Sequence, residues 1–134
     1  MENEIRKATL KDIDRLTELF EAYRIFYKKL PDKESARAFL KARISNGESE
    51  IFIALHEDGD MVGFVQLYPL FSSTKMKRLW LLNDLFVDPR FRGRGFSVKL
   101  IERSKQLCRE TNACRLLLET AKTNYIGNNL YPKT

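Results

Sequence analysis

Apolar residues change their spacing several times along the chain, and each change predicts a new element. Residues 3–8 are typical of a short first strand. Thr9 and Asp12 are spaced as a capping box, and apolar residues then recur every three or four positions up to Tyr27. This spacing predicts a first helix. A second helix, with the same kind of stripe, is predicted from Pro31-Asp32 to a stop at Asn46-Gly47.

From residue 50 the pattern becomes strand-like. Residues 51–55 and 61–68 are β-rich runs joined through Asp58-Gly59, which indicates a hairpin with a type I′ turn. Residues 69–77 are expected to be the end of that strand and a loop, and a third run covers residues 79–87.

Helical spacing returns at Phe96 and is expected to end near Asn112. An apolar strand follows at residues 114–118, and residues 124–131 are predicted to form a last short helix. The predicted order is β-α-α-β-β-β-α-β-α. Three sequential strands favour an antiparallel meander, whereas strand-helix-strand at the end favours one parallel crossover. The predicted fold class is therefore α/β (α+β-like), with a mixed, mostly antiparallel central sheet flanked by helices.

Length and composition are those of one compact domain covering residues 1–134, with 43% hydrophobic and 31% charged residues. The sequence has neither an apolar run of roughly 20 residues nor a signal-peptide pattern, so a cytoplasmic protein without a membrane partner is expected. Cys108 and Cys114 lack the spacing of metal ligands, and we expect small core residues there and no metal.

The net charge of +6 is concentrated in one segment. Residues 90–105 carry six basic side chains and one acidic one, which amounts to +5 of the +6. A charge excess at one point suits one compact polyanion better than a nucleic acid contacted along a whole face.

A glycine-bearing turn lies at the start of this basic segment. Gly93 and Gly95 separate the strand that ends at Val87 from the helix that begins near Phe96. Free N–H groups at a helix N-terminus bind anions, and glycines let the backbone approach a pyrophosphate closely. The G-x-G-x-x-G pattern of dinucleotide-binding folds and the Gly-Lys-Ser/Thr of P-loops are both missing from this turn.

The same segment resembles a known family. Arg90-x-x-Gly93-x-Gly95 matches the Q/R-x-x-G-x-G/A signature of the GNAT N-acetyltransferase superfamily, and the preceding Leu-Phe-Val-Asp-Pro resembles the strand that leads into that signature. The resemblance extends to the first strand and helix, to the hairpin, to Asn124 and to Leu130-Tyr131. It covers nearly the whole chain, and only the central motif is highly specific.

The resemblance implies an acetyl-CoA-dependent enzyme that transfers an acetyl group directly to a primary amine of a small molecule or peptide. The pyrophosphate would bind at Arg92, Gly93, Arg94, Gly95, Phe96 and Ser97. Phe86 and Val87 would lie along the pantetheine arm, and Asn124 would contact the pantetheine or position the last helix.

Two residues are candidates for catalysis. Tyr131 falls where the family often places the tyrosine that protonates the departing thiolate, and the alternative is an aromatic residue packed under the last helix. Asp84 is the candidate for steering or deprotonating the amine, with a hydrogen-bonded carboxylate beside the sheet as the alternative. Spermidine/spermine acetyltransferases carry Glu where this chain has Asn83, which puts a carboxylate base at that position in doubt. Only one of Asn83 and Asp84 can face the cleft unless a bulge intervenes.

Other aromatic residues have simpler interpretations. Tyr23, Phe26, Tyr27 and Trp80 could line an acceptor pocket, although aromatics at such spacings are usually core residues. His56, beside the Asp58-Gly59 turn, is expected to be a solvated turn residue.

The sequence leaves two alternative functions open, and it also leaves open whether the domain is shorter than in related enzymes. The chain could be a non-catalytic acyl-CoA-binding relative, or an RNA-binding module that uses Arg92-Gly-Arg-Gly95. Related enzymes usually continue past a similar Leu-Tyr segment into two further strands. We therefore expect a domain truncated at its C-terminus relative to the family, or a sheet edge covered by a partner such as a second copy in a homodimer.

Overall fold

The computed structural model describes residues 3–118. Two short 3₁₀ turns, Leu10–Asp12 and Pro89–Phe91, each lie before a longer helix. The main elements are β1 (Glu4–Lys7), α1 (Ile13–Phe26), α2 (Lys33–Ser45), β2 (Glu50–Leu55), β3 (Met61–Ser72), β4 (Lys77–Val87), α3 (Phe96–Glu110) and β5 (Leu116–Leu118). This order confirms the predicted one as far as β5, and the predicted last helix lies outside the described residues.

The sheet is mixed, as predicted. Its strand order is β1-β2-β3-β4-β5, the first three pairs are antiparallel, and β4 pairs with β5 in parallel. The parallel pairing joins Trp80–Leu82 to Leu116–Leu118. β4 continues for five residues beyond that stretch, to Val87.

Two cores lie on opposite faces of this sheet. On one face α3 packs through Phe96, Leu100 and Leu107. On the other face α1 and α2 bury an apolar stripe that includes Leu16, Phe20 and Leu40. Phe86, near the end of β4, belongs to the second core, whereas its neighbour Val87 belongs to the first. The end of β4 therefore lies between the two helical layers.

The capping box predicted at Thr9 and Asp12 is confirmed, with both reciprocal hydrogen bonds present at the 3₁₀ turn before α1. Arg6 of β1 donates to both carboxylate oxygens of Asp12, at 3.0 and 2.8 Å. The Asp12 carboxylate thus links β1 to the N-terminus of α1. Asp32 caps α2 through the N–H of Ser35, so this helix begins one residue after the cap.

The hairpin between β2 and β3 is confirmed, but the predicted type I′ turn is wrong. His56 and Asp60 are joined by a backbone hydrogen bond of 2.8 Å, which leaves a three-residue loop. Gly59 has a φ of +91°, whereas Asp58 is not among the positive-φ residues. A three-residue loop needs positive φ only at its glycine, so Asp-Gly is compatible with either turn.

The strands on either side of the next turn are longer than predicted. Residues 69–72, expected to belong to a strand end and loop, continue β3 and pair with residues 77–80 of β4. Pro69 is half-buried within this extension. Pro69 and the polar run that begins at Ser72 obscured the pairing, because prolines and polar runs are both typical of loops.

Candidate active site

A β-bulge decides which way the central polar residues of β4 face. Gln66 of β3 pairs with Asp84, but the next residue, Leu67, pairs with Leu82, so Asn83 has no partner on β3. Trp80 and Leu82, before the bulge, face the α3 core. Strict alternation would send Asp84 to the same side, and the extra residue turns it to the opposite face instead.

Asp84 is almost completely buried and strongly hydrogen-bonded. Its side chain accepts from Nε2 of Gln66 at 2.9 Å and from Nδ2 of Asn83 at 3.2 Å. Burial raises the pKa of this carboxyl above its ordinary value, and hydrogen bonds from Gln66, Tyr23 and Asn83 act in the opposite direction. The net pKa is raised, which brings a carboxylate closer to the range in which it can exchange protons near neutral pH.

Two tyrosines share the surroundings of this carboxylate. Burial, followed by the negative charge of Asp84, raises the pKa of Tyr23 far above its ordinary value and the pKa of Tyr68 to about 12. The Tyr23 hydroxyl also donates to the backbone carbonyl of Asn83, at 3.4 Å. Both phenols are therefore neutral donors at physiological pH, and Asp84 is the group of this cluster that can accept a proton.

Asp84 forms part of the wall of a cavity of about 300 Å³ between α1 and the sheet. The other lining residues are Phe20, Tyr23, Arg24, Tyr27 and Lys29. Tyr23 and Tyr27 lie one helical turn apart and contribute aromatic walls. An amine could enter this cavity and reach a carboxylate that is otherwise shielded from water.

A second cavity, of about 380 Å³, lies at the end of β4. Its lining comes from the C-terminus of α1, the last residues of β4 and the glycine turn: Phe26, Tyr27, Leu85, Phe86, Val87, Phe91, Arg92, Gly93, Phe96 and Ser97. Phe26 is 57% exposed, as expected for an aromatic residue that borders an open cavity. Tyr27 lines both cavities, so they adjoin at this residue.

The glycine turn has the geometry of an anion site. Gly93 and Gly95 have φ values of +78° and +84°, and a Cβ at either position would have no heavy atom within 4 Å. Gly95 is the N-cap of α3, and the first helical hydrogen bond runs from Lys99 N–H to Gly95 O at 3.1 Å. The amides of residues 96–98 precede that bond and lie at the positive end of the helix dipole.

Three of the six basic side chains of residues 90–105 form ion pairs. Arg90 binds Asp88, Arg103 binds Glu110 and Lys105 binds Glu102. Arg92 donates Nε–H to the carbonyl of Val87 at 3.0 Å, and its guanidinium lies over the rings of Phe26 and Phe86. Arg94 lies over the ring of Phe91. The turn is thus folded onto the strand end and is not an extended arginine-glycine segment.

The structure distinguishes the aromatic residues from one another. Tyr23, Phe26 and Tyr27 line the two cavities, although their helical spacing is equally typical of core residues. Trp80 is a core residue whose indole N–H donates to Thr111 at 2.9 Å. His56 is less solvated than expected: its side chain is only 21% exposed, and its ring lies 5.2 Å from that of Phe91.

Sequence reasoning missed two polar residues beside Asp84. Ser49 and Gln66 are 8% and 0% exposed. Gln66 could have been identified from the sequence, because a polar residue inside the apolar run at 61–68 is expected to be buried and to need a hydrogen-bond partner. Nothing in the sequence distinguishes Ser49 from an ordinary loop serine.

Asn124 and Tyr131 lie outside the described residues, so their predicted roles stay predictions. Among residues 3–118, no group of three or more His, Cys, Asp and Glu side chains is arranged to hold a metal ion. Over the same residues, none of the helices has the length and apolar character needed to cross a membrane.

The fold and these two cavities define an α/β domain in which a glycine turn with the geometry of an anion site lies near a buried acid. A family model described as the acetyltransferase (GNAT) family matches residues 14–134. The chain therefore belongs to the GNAT acetyltransferase family, and it is an acetyltransferase by that membership.

Relatives agree with this assignment. An uncharacterised N-acetyltransferase of Bacillus subtilis is 44% identical over 127 residues, covering 95% of this chain and 85% of its own length. A probable acetyltransferase of Haemophilus influenzae is 37% identical, covering 89% of this chain and 82% of its own. The crystal structure of a probable acetyltransferase superposes with a TM-score of 0.88 at 40% identity, covering 97% of this chain and 87% of the other.

Proposed function

We propose that this acetyltransferase uses acetyl-CoA to acetylate a primary amine of a small molecule or peptide, by direct transfer. The single observation that carries the proposal is the pair of adjoining cavities. One is bordered by an anion-binding turn and the other by a buried carboxylate, and Tyr27 separates them. This arrangement suits a phosphate-bearing acyl donor on one side and an amine acceptor on the other.

The residues of the larger cavity fit the donor. The amides at the start of α3 would bind the pyrophosphate, and the open space at Gly93 and Gly95 leaves room for its approach. Arg94 would add a charge-assisted contact. The backbone of Phe86 and Val87, at the end of β4, would lie along the pantetheine arm. One similar protein, from Clostridium acetobutylicum, was solved with acetyl-CoA; it superposes with a TM-score of 0.76 at 20% identity, which shows a shared fold.

Arg92 has a double role in this proposal. Its backbone belongs to the pyrophosphate turn, whereas its side chain occupies the Val87 carbonyl and stacks on Phe26 and Phe86. A pantetheine arm that pairs with the end of β4 would compete for the same carbonyl. We therefore expect the Arg92 side chain to rotate away from the strand when the donor binds.

Asp84 provides the acceptor chemistry. An amine must lose a proton before it attacks, and the raised pKa of this buried carboxyl suits it to accept that proton. The transfer balances as follows: the ammonium gives one proton to Asp84, the amine nitrogen bonds to the acetyl carbon and the C–S bond breaks. A second donor protonates the departing thiolate, and the second proton that the nitrogen loses restores that donor. The energetic gain comes mainly from holding the two reactants in adjoining cavities.

Isothermal titration with CoA and acetyl-CoA, followed by a thiol-release assay with an amine panel, tests the proposal. Polyamines, amino acids, aminoglycosides and peptide N-termini cover the acceptor classes. We expect binding of both coenzyme forms and acceptor-dependent release of CoA. A folded protein that binds neither form at millimolar ligand would contradict the proposal, and binding without turnover on any amine would indicate a non-catalytic relative.

Tyr131 is the proposed proton donor to the thiolate, on the strength of the family resemblance alone. For Tyr131→Phe we expect turnover to fall roughly tenfold or more, with nearly unchanged CoA affinity, as for a donor that acts mainly in the transition state. Steady-state kinetics with titration calorimetry would measure both quantities. Wild-type turnover under conditions where chemistry limits the rate would assign Tyr131 a packing role.

A further inference from the structure

A chain of buried hydrogen bonds leads from the start of β2 to the Asp84 carboxylate. Ser49 Oγ donates to Gln66 Oε1 at 2.8 Å, and Gln66 Nε2 donates to Asp84 Oδ2 at 2.9 Å. The three residues are 8%, 0% and 5% exposed. They come from the segment before β2, from β3 and from β4, so the chain crosses the α1 face of three neighbouring strands.

The direction of these hydrogen bonds is fixed by chemistry. An ionised carboxylate can only accept, so the Gln66 side chain must present its NH₂ group to Asp84. Its carbonyl then faces Ser49, whose hydroxyl is free to donate. If the amide rotated by half a turn, two oxygen atoms would face each other at Asp84. Ser49 therefore holds the Gln66 amide in the orientation that serves the carboxylate.

Several groups act on the same carboxylate. Asn83 of β4 donates to it, Tyr23 of α1 lies close enough to lower its pKa, and the charge of Asp84 acts on Tyr68 of β3. Arg24 and Lys29 line the cavity that it borders. Arg24 is held by Glu21 in an ion pair, which reduces its effect. Gln66 is the completely buried member of this set, and its amide makes one hydrogen bond at each end.

We propose that Ser49 and Gln66 are positioning residues, whose hydrogen-bond chain fixes both the orientation and the proton affinity of the carboxylate that receives the acceptor's proton. This inference rests on the proposed function of Asp84. Gln66 stabilises the ionised form against the effect of burial, and it holds Oδ2 so that the carboxylate faces α1. Ser49 acts through Gln66 and never contacts the acceptor.

The test combines two variants with a control for a lost buried hydroxyl. Gln66→Met removes the donor to Asp84 and keeps the length of the side chain. Ser49→Ala removes only the hydroxyl that donates to the Gln66 carbonyl oxygen. Both should move the acid limb of the kcat/KM–pH profile to higher pH, because Asp84 becomes harder to ionise. We expect a shift of about one pH unit for Gln66→Met, the size of a lost charge-assisted hydrogen bond, and less for Ser49→Ala.

Ser104→Ala is the matched control. Its hydroxyl is also completely buried and donates to the carbonyl of Leu100 at 2.9 Å, but it lies in α3 on the other face of the sheet. It should lower the melting temperature without moving the acid limb. Ser49→Thr keeps the hydroxyl and should restore the wild-type profile.

A second readout is independent of turnover. Titration of the Asp84 carboxyl carbon by NMR, assigned with Asp84→Asn, reports its proton affinity directly. If the protein acetylates no amine, the proposed function fails, and the titration still decides the role of the chain. If Gln66→Met and Ser49→Ala both titrate at Asp84 as the wild type does, the positioning proposal is overturned while the proposed function stands.

Discussion

Asp84 occupies a position in β4 that strict alternation would turn toward α3. The sequence predicts that Asn83 and Asp84 interrupt an apolar strand, and that only one can face the cleft unless a bulge is present. The bulge itself is invisible in the sequence, because an extra residue leaves no compositional mark in an isolated strand. It becomes visible only in the register, where Gln66 pairs with Asp84 and Leu67 with Leu82.

Asp84→Asn should lower the turnover of the enzyme but raise its stability at pH 7. Turnover should fall about 100-fold or more, as for the loss of a proton acceptor. Because folding raises the pKa of this carboxyl, the folded state favours its protonated form. The contribution of Asp84 to the stability of the wild type is therefore fully present below the unfolded pKa of this carboxyl, and it is lost as the pH rises through the folded pKa.

The asparagine variant has no such dependence. It should melt at a higher temperature than the wild type at pH 7, and this advantage should disappear near pH 4. Thermal melts of both proteins across this range would measure the difference. A wild type that is more stable than Asp84→Asn at pH 7 would show that the ionised carboxylate stabilises the fold.

The glycines of the turn before α3 provide a test of the proposed anion site at a single residue. Gly95→Ala places a Cβ where the pyrophosphate would approach and forces a side chain into φ +84°. We expect a loss of about 1 kcal/mol or more in stability and at least a tenfold loss in CoA affinity.

Gly47→Ala is the control, because Gly47 also has positive φ and open space but lies at the end of α2. It should lose similar stability and keep its CoA affinity in calorimetry. If both variants bound CoA with the same affinity as the wild type, the turn would not be part of the CoA-binding site.

At the scale of elements, helix boundaries were predictable and turn types were less so. The capping box at Thr9 and Asp12 is a local signal, since its partners are three residues apart. The three-residue loop after β2 and the extension of β3 through Pro69 depend on pairing between strands. Pairing is a long-range property, which Asp-Gly and Pro indicate only ambiguously.

Asp12 should contribute to stability through its charge. The hydrogen bond from Arg6 holds the pKa of this carboxyl below its ordinary value. Its contribution is therefore present above the unfolded pKa and is lost as the pH falls through the folded pKa. Asp12→Asn should lose about 1 kcal/mol at pH 7 and progressively less in acid below roughly pH 4, as measured by denaturant unfolding.

Asp14→Asn is the matched comparison for that experiment. Asp14 lies in the first turn of α1, but its side chain is 88% exposed, and its ion pair with Arg37 is at the surface. We expect a change within about 0.5 kcal/mol. An equal loss in both variants would mean that general helix electrostatics, and not the link to β1, accounts for the effect.

For the whole molecule, the family and the sheet topology followed from the sequence, whereas the acceptor side of the site did not. The glycine turn is a contiguous motif, so six residues suffice to recognise it. The proposed acceptor cavity is assembled from α1 and β4, which are about 60 residues apart in the chain. Tyr23 and Tyr27 are indistinguishable from core aromatics until the sheet places Asp84 opposite them.

The central claim is that acetyl-CoA binds at the start of α3 and along the end of β4. NMR mapping of backbone amide shifts during titration with acetyl-CoA tests it most directly. We expect the largest shifts at the amides of residues 93–98, with a second group at residues 85–87 and at Phe26 and Tyr27. Saturable shifts confined to other surfaces, or no shifts at millimolar acetyl-CoA in a folded protein, would contradict the account.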